Sequence, residues 1–257
     1  MARIFISGSA DGLGLMVGRF LAEQGHQAVL HARSDARAAD ARMAAPKAEA
    51  VVVGDLATIA AAKDLARQVN ALGSFDAVIH NAAVGFREGH RMTSDGLPHV
   101  FAVNTLAPYV LTALIEKPKR LVYLSSGMHD RASANLDDIL WRKRSWDGST
   151  AYAESKLHDV MLAFAVARLW PNVLSNALTP GWVPTKMGGA GAPDDIDQAH
   201  LTQAWLATSD DPAARTTAGY FYHLKRREPN PEARDVALQD RLTDICRQIS
   251  GVDMPRP

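Results

Sequence analysis

Tyr152 and Lys156, four residues apart, are the pair in this sequence whose types and spacing best suit acid–base chemistry. The apolar residues that follow them recur every three to four positions, which predicts a helix over residues 151–170. Side chains four residues apart point the same way on a helix, so the phenol and the ammonium would be neighbours. A nearby cation favours the phenolate, and a tyrosine activated in this way can exchange a proton with an alcohol or carbonyl oxygen. Alone, the spacing also fits a half-buried tyrosine beside a solvated lysine.

The elements that would position this pair alternate along the chain. Short apolar runs predict strands at 3–7, 27–31, 50–53, 75–80, 120–125, 173–178 and 219–223. Helices are predicted at 13–24, 58–72, 97–115, 151–170, 198–207 and about 232–250. This alternation predicts an α/β fold in which residues 1–257 form one Rossmann-type domain, with a doubly wound parallel sheet and helices on both faces. Ligands bind such sheets at the carboxyl ends of the strands.

Composition narrows the classes of partner. The 257 residues contain 28 Lys plus Arg and 28 Asp plus Glu, so no net charge attracts nucleic acid or anionic membrane. No apolar run is long enough to cross a bilayer, and no secretory signal is apparent. The single cysteine, Cys246, excludes a disulfide framework and a cysteine-rich metal site. These features predict a cytoplasmic protein without a metal.

A glycine motif follows the first predicted strand and precedes the first helix. Its residues are Gly8, Ser9, Asp11, Gly12, Leu13 and Gly14. Glycines at such a junction allow a tight turn and the close approach of a diphosphate, which then lies at the positive end of the helix. The spacing differs from the Gly-x-Gly-x-x-Gly fingerprint, and an ordinary strand–helix turn is the alternative. We expect a dinucleotide to bind here.

Basic and hydroxyl side chains follow the second predicted strand. An acidic residue here would bind the ribose hydroxyls of NAD, whereas Arg33, beside Ser34, would accommodate the 2′-phosphate of NADP. We therefore expect NADP(H), with NAD(H) as the alternative. Asp11 opposes this expectation because its charge would repel a 2′-phosphate.

Polar and small residues also end the later strands. They are Asp55, Leu56, Asn81, Ala82, Ala83, Ser125, Ser126, Pro180, Gly181, Val183 and Thr185. Small residues after the fourth strand would make room for a flat ring, while Asn81 could equally bridge neighbouring strands. A serine hydroxyl after the fifth strand could bind a substrate carbonyl, although such serines are more often turn residues.

Taken in order, these positions resemble the short-chain dehydrogenase/reductase family over nearly the whole chain. The resemblance implies hydride transfer between NAD(P)(H) and a carbonyl or alcohol, with Tyr152 as the acid–base. It further implies that Ser126 holds the substrate oxygen, that Lys156 binds the nicotinamide ribose, that Asn104 supports Lys156 through a water, and that Thr185 binds the carboxamide. His80 and Ala83 depart from the usual Asn-Asn-Ala-Gly, without loss of a catalytic group.

The segment between Ser126 and Tyr152 is longer than in many members and resembles the retinol-dehydrogenase-like and carbonyl-reductase branch. That resemblance suggests a small-molecule carbonyl or alcohol that is bulky and apolar. Trp146, Trp182 and, less readily, His129 are the candidates to contact it. A mobile substrate loop is expected at about 186–197. Relatives often pair through the helices at 97–115 and 151–170, which suggests a homodimer.

The sequence therefore predicts an NADP-dependent oxidoreductase of carbonyl-reductase type. The first alternative is an NADP-sensing regulatory protein on the same fold, for which Ser126, Tyr152 and Lys156 together would have no use. The second is a sugar-nucleotide epimerase or dehydratase of the extended family. That alternative needs a different glycine spacing and a larger C-terminal domain than the residues after Thr185 supply.

Overall fold

Eight strands form one sheet in the computed structural model, which describes residues 1–256. They are β1 (Arg3–Ile6), β2 (Gln27–Ala32), β3 (Ala50–Val53), β4 (Ala77–His80), β5 (Arg120–Leu124), β6 (Leu174–Leu178), β7 (Tyr220–Tyr222) and β8 (Lys225–Arg227). Their order is β3-β2-β1-β4-β5-β6-β7-β8, and every pairing is parallel except β7 with β8. The predicted doubly wound sheet is confirmed, and its switch point lies between β1 and β4, where strand order reverses.

Eight α-helices cover the two faces of the sheet. They are α1 (Gly12–Glu23), α2 (Asp35–Ala44), α3 (Ile59–Ala71), α4 (His99–Phe101), α5 (Ala107–Leu114), α6 (Gly148–Leu169), α7 (Leu201–Thr208) and α8 (Val236–Ser250). Side-chain caps define several starts: Ser34 accepts from the Arg37 amide, and Asp235 accepts from the amides of Ala237 and Leu238. Two elements escaped prediction. Helix α2 carries few large apolar residues, and β8 is a short strand of three exposed basic residues without an apolar pattern.

A π-helical segment, Ala102–Leu106, joins α4 to α5, where one continuous helix was expected. Such segments occur often at functional sites because they displace one residue from the regular helical register. Asn104 lies at the centre of this segment and is fully buried. The segment therefore sets where the Asn104 side chain points.

Helix α6 is enclosed by the rest of the chain. One side packs on β5 and β6, and another packs on α8 and on the short 3₁₀ helix Pro231–Arg234. Nearly every side chain from Ala151 to Ala167 is buried, including the polar Glu154, His158 and Asp159. Polar groups in such a position need internal partners, because an unpaired buried group destabilises the fold.

The described residues contain no helix that is long and apolar enough to cross a membrane. In residues 1–256 we also find no cluster of three or more His, Cys, Asp or Glu side chains arranged to hold a metal ion.

Candidate active site

The Tyr152–Lys156 pair lies at the carboxyl end of β5. Helix α6 starts after Asp147, whose carboxylate accepts a 2.7 Å hydrogen bond from the Thr150 amide. Two bonds then set the helix against the strand: the Ser125 hydroxyl donates to the Lys156 carbonyl at 2.7 Å, and the Lys156 ammonium donates to the Leu124 carbonyl at 2.8 Å. The ammonium nitrogen lies 5.7 Å from the centre of the Tyr152 ring. The phenol and the ammonium are therefore neighbours, as the sequence predicts.

Lys156 has a second, charged partner that the sequence analysis missed. Its ammonium lies 2.8 Å from the Asp159 carboxylate, and both residues are only 2–3% exposed. Burial by itself would lower the pKa of Lys156, but the charge of Asp159, the nearby Tyr152 and the hydrogen bond to Asp159 together outweigh burial and raise that pKa above its usual value. The i, i+3 spacing on a predicted helix was the available signal.

Asn104 connects the π-helical segment to two neighbours of the site. Its side-chain oxygen accepts from the Val84 amide at 2.8 Å, and its nitrogen donates to the Val84 carbonyl and to the Ser155 hydroxyl, each at 3.0 Å. Ser155 in turn donates to the Tyr152 carbonyl at 2.7 Å. Asn104 therefore holds the segment after β4 against α6 and forms no direct hydrogen bond with Lys156.

Ser126 is half-buried directly after β5 and begins the 3₁₀ helix Gly127–Arg131, where its hydroxyl accepts from the Met128 amide at 3.3 Å. His129, on that helix, is completely buried. Its ring donates to the Ser126 carbonyl at 2.8 Å, and its other nitrogen accepts from the Asn230 amide. The expectation that His129 reaches substrate is thus corrected: the ring is a structural link between two backbone segments.

The glycine motif closes tightly on the end of β4. Gly8 has φ +63, and a Cβ there would lie 2.5 Å from Ala82 Cα. A Cβ at Gly14 would lie 2.4 Å from the side-chain nitrogen (Nδ2) of Asn81. This nitrogen donates to the backbone carbonyls of Ser7 and Gly8. Of the two alternatives left open for Asn81, the bridge between neighbouring strands is what the structure contains. Gly12, by contrast, faces open space.

These features fit the diphosphate of a dinucleotide. The Gly8–Ala82 contact brings backbone to backbone, and the outer side of the motif is open at Gly12. Asp11 occupies the N-cap of α1 without a side-chain capping bond, so the amides of the first turn keep their donors for an anion. Ser9 is buried in the segment before α1, and Leu13 is the second residue of that helix.

His31 is a second residue that the sequence analysis missed. Its Nδ1 accepts from the Gly8 amide, and its Nε2 donates to the Gly54 carbonyl, both at 2.8 Å. Burial lowers the pKa of His31, so the neutral ring that can accept from Gly8 is favoured. The ring joins the ends of β1, β2 and β3 and fixes the shape of the glycine motif. Asp55, next along, is exposed and accepts from the Ala57 amide, while Leu56 is buried.

A group of charged side chains surrounds the outer end of the motif. Arg37 pairs with Asp11 at 2.6 Å and with Asp40 at 3.1 Å, and Lys186 reaches Asp11 at 3.1 Å from the segment after β6. Arg33 is exposed directly after β2, and Ser34 is occupied as the cap of α2. The negative charge of Asp11 is therefore balanced by two cations.

The segment after β6 turns sharply at Gly181, which has φ +89. Val183 is buried, and the Thr185 hydroxyl accepts from the Gly188 amide at 3.1 Å. Trp182 is 58% exposed, and its ring nitrogen donates to the Gly188 carbonyl at 3.0 Å. In this conformation Trp182 packs its own loop, which is one of the two alternatives that its position suggested.

Two segments meet above Tyr152. Phe86, after β4, lies edge-on to Tyr152 at 6.2 Å between ring centres, and a Cβ at Gly85 would touch Met187 in the segment after β6. Trp146 donates to the Glu88 carbonyl at 3.0 Å. Phe86 thus gives the mouth of the site an aromatic wall that the sequence analysis missed, while the Trp146 ring packs against His90 and Trp141.

The chain as a whole has counterparts among known proteins. A family model described as enoyl-(acyl carrier protein) reductase matches residues 8–218. An uncharacterized oxidoreductase of Emericella nidulans is 46% identical over 260 residues, covering 99% of each chain. The chain belongs to the short-chain dehydrogenase/reductase family. Retinol dehydrogenase 13 of Mus musculus is 27% identical, covering 98% of this chain and 84% of that one.

The fold also has a counterpart among solved structures. A crystal structure of an uncharacterized protein from Mycobacterium paratuberculosis superposes with a TM-score of 0.84 at 23% identity, covering 99% of this chain and 95% of that one. As a short-chain dehydrogenase/reductase the protein is an oxidoreductase that acts on CH–OH or C=O groups. The resemblance to the retinol-dehydrogenase-like branch is also confirmed.

Proposed function

We propose that this short-chain dehydrogenase/reductase reduces a ketone or aldehyde with NADPH, or runs the reverse oxidation of an alcohol. The observation that carries the proposal is the buried Lys156 ammonium held 5.7 Å from the Tyr152 ring at the end of β5, with Ser126 on the adjoining turn. This arrangement has a use in proton transfer and none in cofactor sensing alone.

The protein groups have separate tasks in this proposal. A bound nicotinamide cofactor supplies or accepts the hydride. The Tyr152 hydroxyl donates its proton to the carbonyl oxygen, and the Ser126 hydroxyl holds that oxygen in place by a hydrogen bond. The positive charge of Lys156 stabilises the phenolate that Tyr152 becomes. Asn104 keeps the segment after β4 in contact with α6 through Val84 and Ser155.

The proposed cofactor contacts are the glycine motif with its free first-turn amides, Asp55, Leu56, Asn81, Ala82, Ala83, Pro180, Gly181, Val183 and Thr185. The proposed substrate contacts lie at the mouth, where Phe86 and Trp146 would pack on an apolar carbonyl compound. The segment 186–197 would close over it, since Met187 already lies so near Gly85 that a Cβ there would be 2.8 Å from the Met187 side chain. We also propose a reducing compartment such as the cytoplasm, because Cys246 is a buried free thiol.

The test is NADPH and NADH oxidation with a panel of aromatic, aliphatic and steroid-like ketones and aldehydes. Turnover of any member supports the proposal. Tight NADPH binding with no turnover across the whole panel would favour the NADP-sensing alternative instead.

NADP preference rests on the cations around Asp11. Arg37 and Lys186 balance the charge of Asp11. A 2′-phosphate bound at this end of the site would therefore meet Arg33 in surroundings with a net positive charge. We expect Arg33→Ala to raise the KM for NADPH by about tenfold or more, since a hydrogen bond to a charged group contributes roughly 1.5–3 kcal/mol. The KM for NADH should change little. Steady-state kinetics with both cofactors measures the ratio.

A matched control is Arg42→Ala, which removes an exposed arginine from the far end of α2, where it bonds the Val51 carbonyl. Both KM values should stay as in the wild type. Equal losses for NADPH and NADH in Arg33→Ala would contradict a 2′-phosphate contact.

We infer that the chain does not pair through the helices that suggested a homodimer. Helix α5 is buried along its length, and the C-terminal segment covers it: the Tyr109 hydroxyl donates to the Val252 carbonyl at 2.8 Å. Trp170, just after α6, donates to the Pro255 carbonyl at 2.8 Å. The β8 edge carries exposed charges at Lys225–Arg227, which disfavour pairing between sheets.

Sedimentation equilibrium should therefore give the mass of one chain at micromolar concentration. A dimer that persists on dilution would show that another surface pairs, or that the C-terminal segment moves aside. Cross-links between two copies of α5 would contradict the inference directly.

A further inference from the structure

The buried Lys156–Asp159 ion pair carries an unusually large desolvation penalty. Both side chains are almost fully buried, the nitrogen and oxygen are 2.8 Å apart, and the Leu124 carbonyl is the other partner of the ammonium. Removing two charges from water is unfavourable, and hydrophobic residues of similar volume often serve stability as well. A charged pair kept beside Tyr152 therefore suggests a role in the chemistry of that tyrosine.

Few other ionisable groups act on this pair. Tyr152 lies on the same helix, and Tyr123, on β5, is close enough for Asp159 to contribute to the raised pKa of its phenol. Tyr123 shares a hydrogen bond with Thr112, which also contacts His80 on β4. Glu154, on α6, is neutralised by Arg144.

The remaining ionisable groups on elements packed against α6 have contacts of their own. The relevant ones are His99, Arg120, His129, Glu232, Arg234 and Asp240. Cys246, on α8, is neutral because burial raises the pKa of its thiol. Asp159 is thus the one anion in contact with the Lys156 ammonium among the described residues.

We propose that Asp159 is a positioning residue for the active site, whose carboxylate holds Lys156 charged and anchored at the Leu124 carbonyl beside Tyr152. This inference rests on the proposed function, since it assigns the task of supporting the proton transfer. Without the carboxylate, burial would dominate and the ammonium would lose its proton at a lower pH. A neutral Lys156 no longer stabilises the Tyr152 phenolate, so turnover would stop at that pH.

The test is the pH dependence of kcat/KM in Asp159→Asn, which keeps the size and the acceptor oxygen and removes the charge. We expect the alkaline limb to move down by about two pH units, with kcat/KM near the wild-type value at pH 6. A merely structural role would lower kcat/KM at every pH and leave the limb in place. An unmoved limb overturns the inference.

Asp244→Asn is the matched control. Asp244 forms an exposed i, i+3 pair with Arg247 on α8, so the same change at the same spacing alters no buried charge. Its profile should superimpose on that of the wild type.

A second measurement needs no turnover and uses the wild-type protein. In wild-type protein labelled with ¹³Cε-lysine, the Lys156 signal, assigned by its loss in Lys156→Met, should titrate no lower than an ordinary lysine. Titration well below the ordinary lysine range overturns the proposed pairing. If the wild type reduces no carbonyl, the proposed function fails while this titration still tests Asp159. If the wild type is active and the Asp159→Asn limb is unmoved, only the present inference fails.

Discussion

Replacing Tyr152 by phenylalanine should abolish carbonyl reduction while NADPH binding persists. The substitution removes the one hydroxyl that can give its proton to the substrate oxygen and keeps the ring that packs edge-on to Phe86. General acid–base groups contribute about 10²–10⁴-fold to the rate, so kcat should fall by at least about 10²-fold. Cofactor affinity, measured by fluorescence of bound NADPH, should change little, since the glycine motif and the Arg33 region are untouched.

Tyr109→Phe is the matched control for this prediction. Its hydroxyl donates to the Val252 carbonyl in the C-terminal segment and to no residue of the candidate active site, so its loss should cost about 1 kcal/mol of stability and leave kcat as it is. If Tyr152→Phe kept near-normal rates on every accepted carbonyl, Tyr152 would not be the acid and the proposed mechanism would fall.

The protein should lose much of its stability between about pH 6.5 and pH 4. Burial lowers the pKa of His80 to about 3 and that of His158 to about 4, and it also lowers those of His31 and His129. The folded state thus holds neutral rings, while the unfolded chain takes up protons from about pH 6.5 downward. Stability is complete above that pH and decreases as the pH falls toward the folded-state values.

The size of this effect rivals the stability of a whole domain. Protonation linked to His80 and to His158 should each lower the free energy of unfolding by roughly 3 kcal/mol at pH 4. A typical domain has a total of about 5–15 kcal/mol. Asp159 acts in the opposite direction, because burial raises its pKa to about 6, but the histidines outnumber it. Urea unfolding at pH 7, 6, 5 and 4 gives the free energy of unfolding at each pH.

His80→Leu separates the titration from the packing. The variant should be less stable at pH 7, because Thr112 loses a partner at 2.9 Å, yet its stability should decrease less between pH 7 and pH 4. Thr112→Val is the control: it removes the same hydrogen bond and keeps the titrating ring, so the decrease toward pH 4 should remain. Identical pH dependence in wild type and His80→Leu would show that another group causes the acid loss.

The site residues that could be predicted from the sequence are those at the carboxyl ends of the strands. Because parallel strands end at one edge of the sheet, the glycine motif, Ser126 and Tyr152 could be assigned to one region from their order alone. His129 was misassigned because its spacing from Ser126 gives no sign that Asn230, a hundred residues later, encloses its ring. Helix α2 was missed since its alanine-rich sequence buries little more than Ala38 and Ala41.

The sequence by itself determined the family, the sheet and the acid–base pair, because these depend on local periodicity and on the spacing of residues within one element. Only the tertiary structure decided the partners of that pair. Burial of α6 between the sheet and α8 turns Asp159 from a residue three positions beyond Lys156 into its counter-ion. Likewise, the charges on Asp11, Arg37 and Lys186 acquire a joint effect only when segments 175 residues apart meet. Charge and burial depend on neighbours in space, which the order of residues does not reveal.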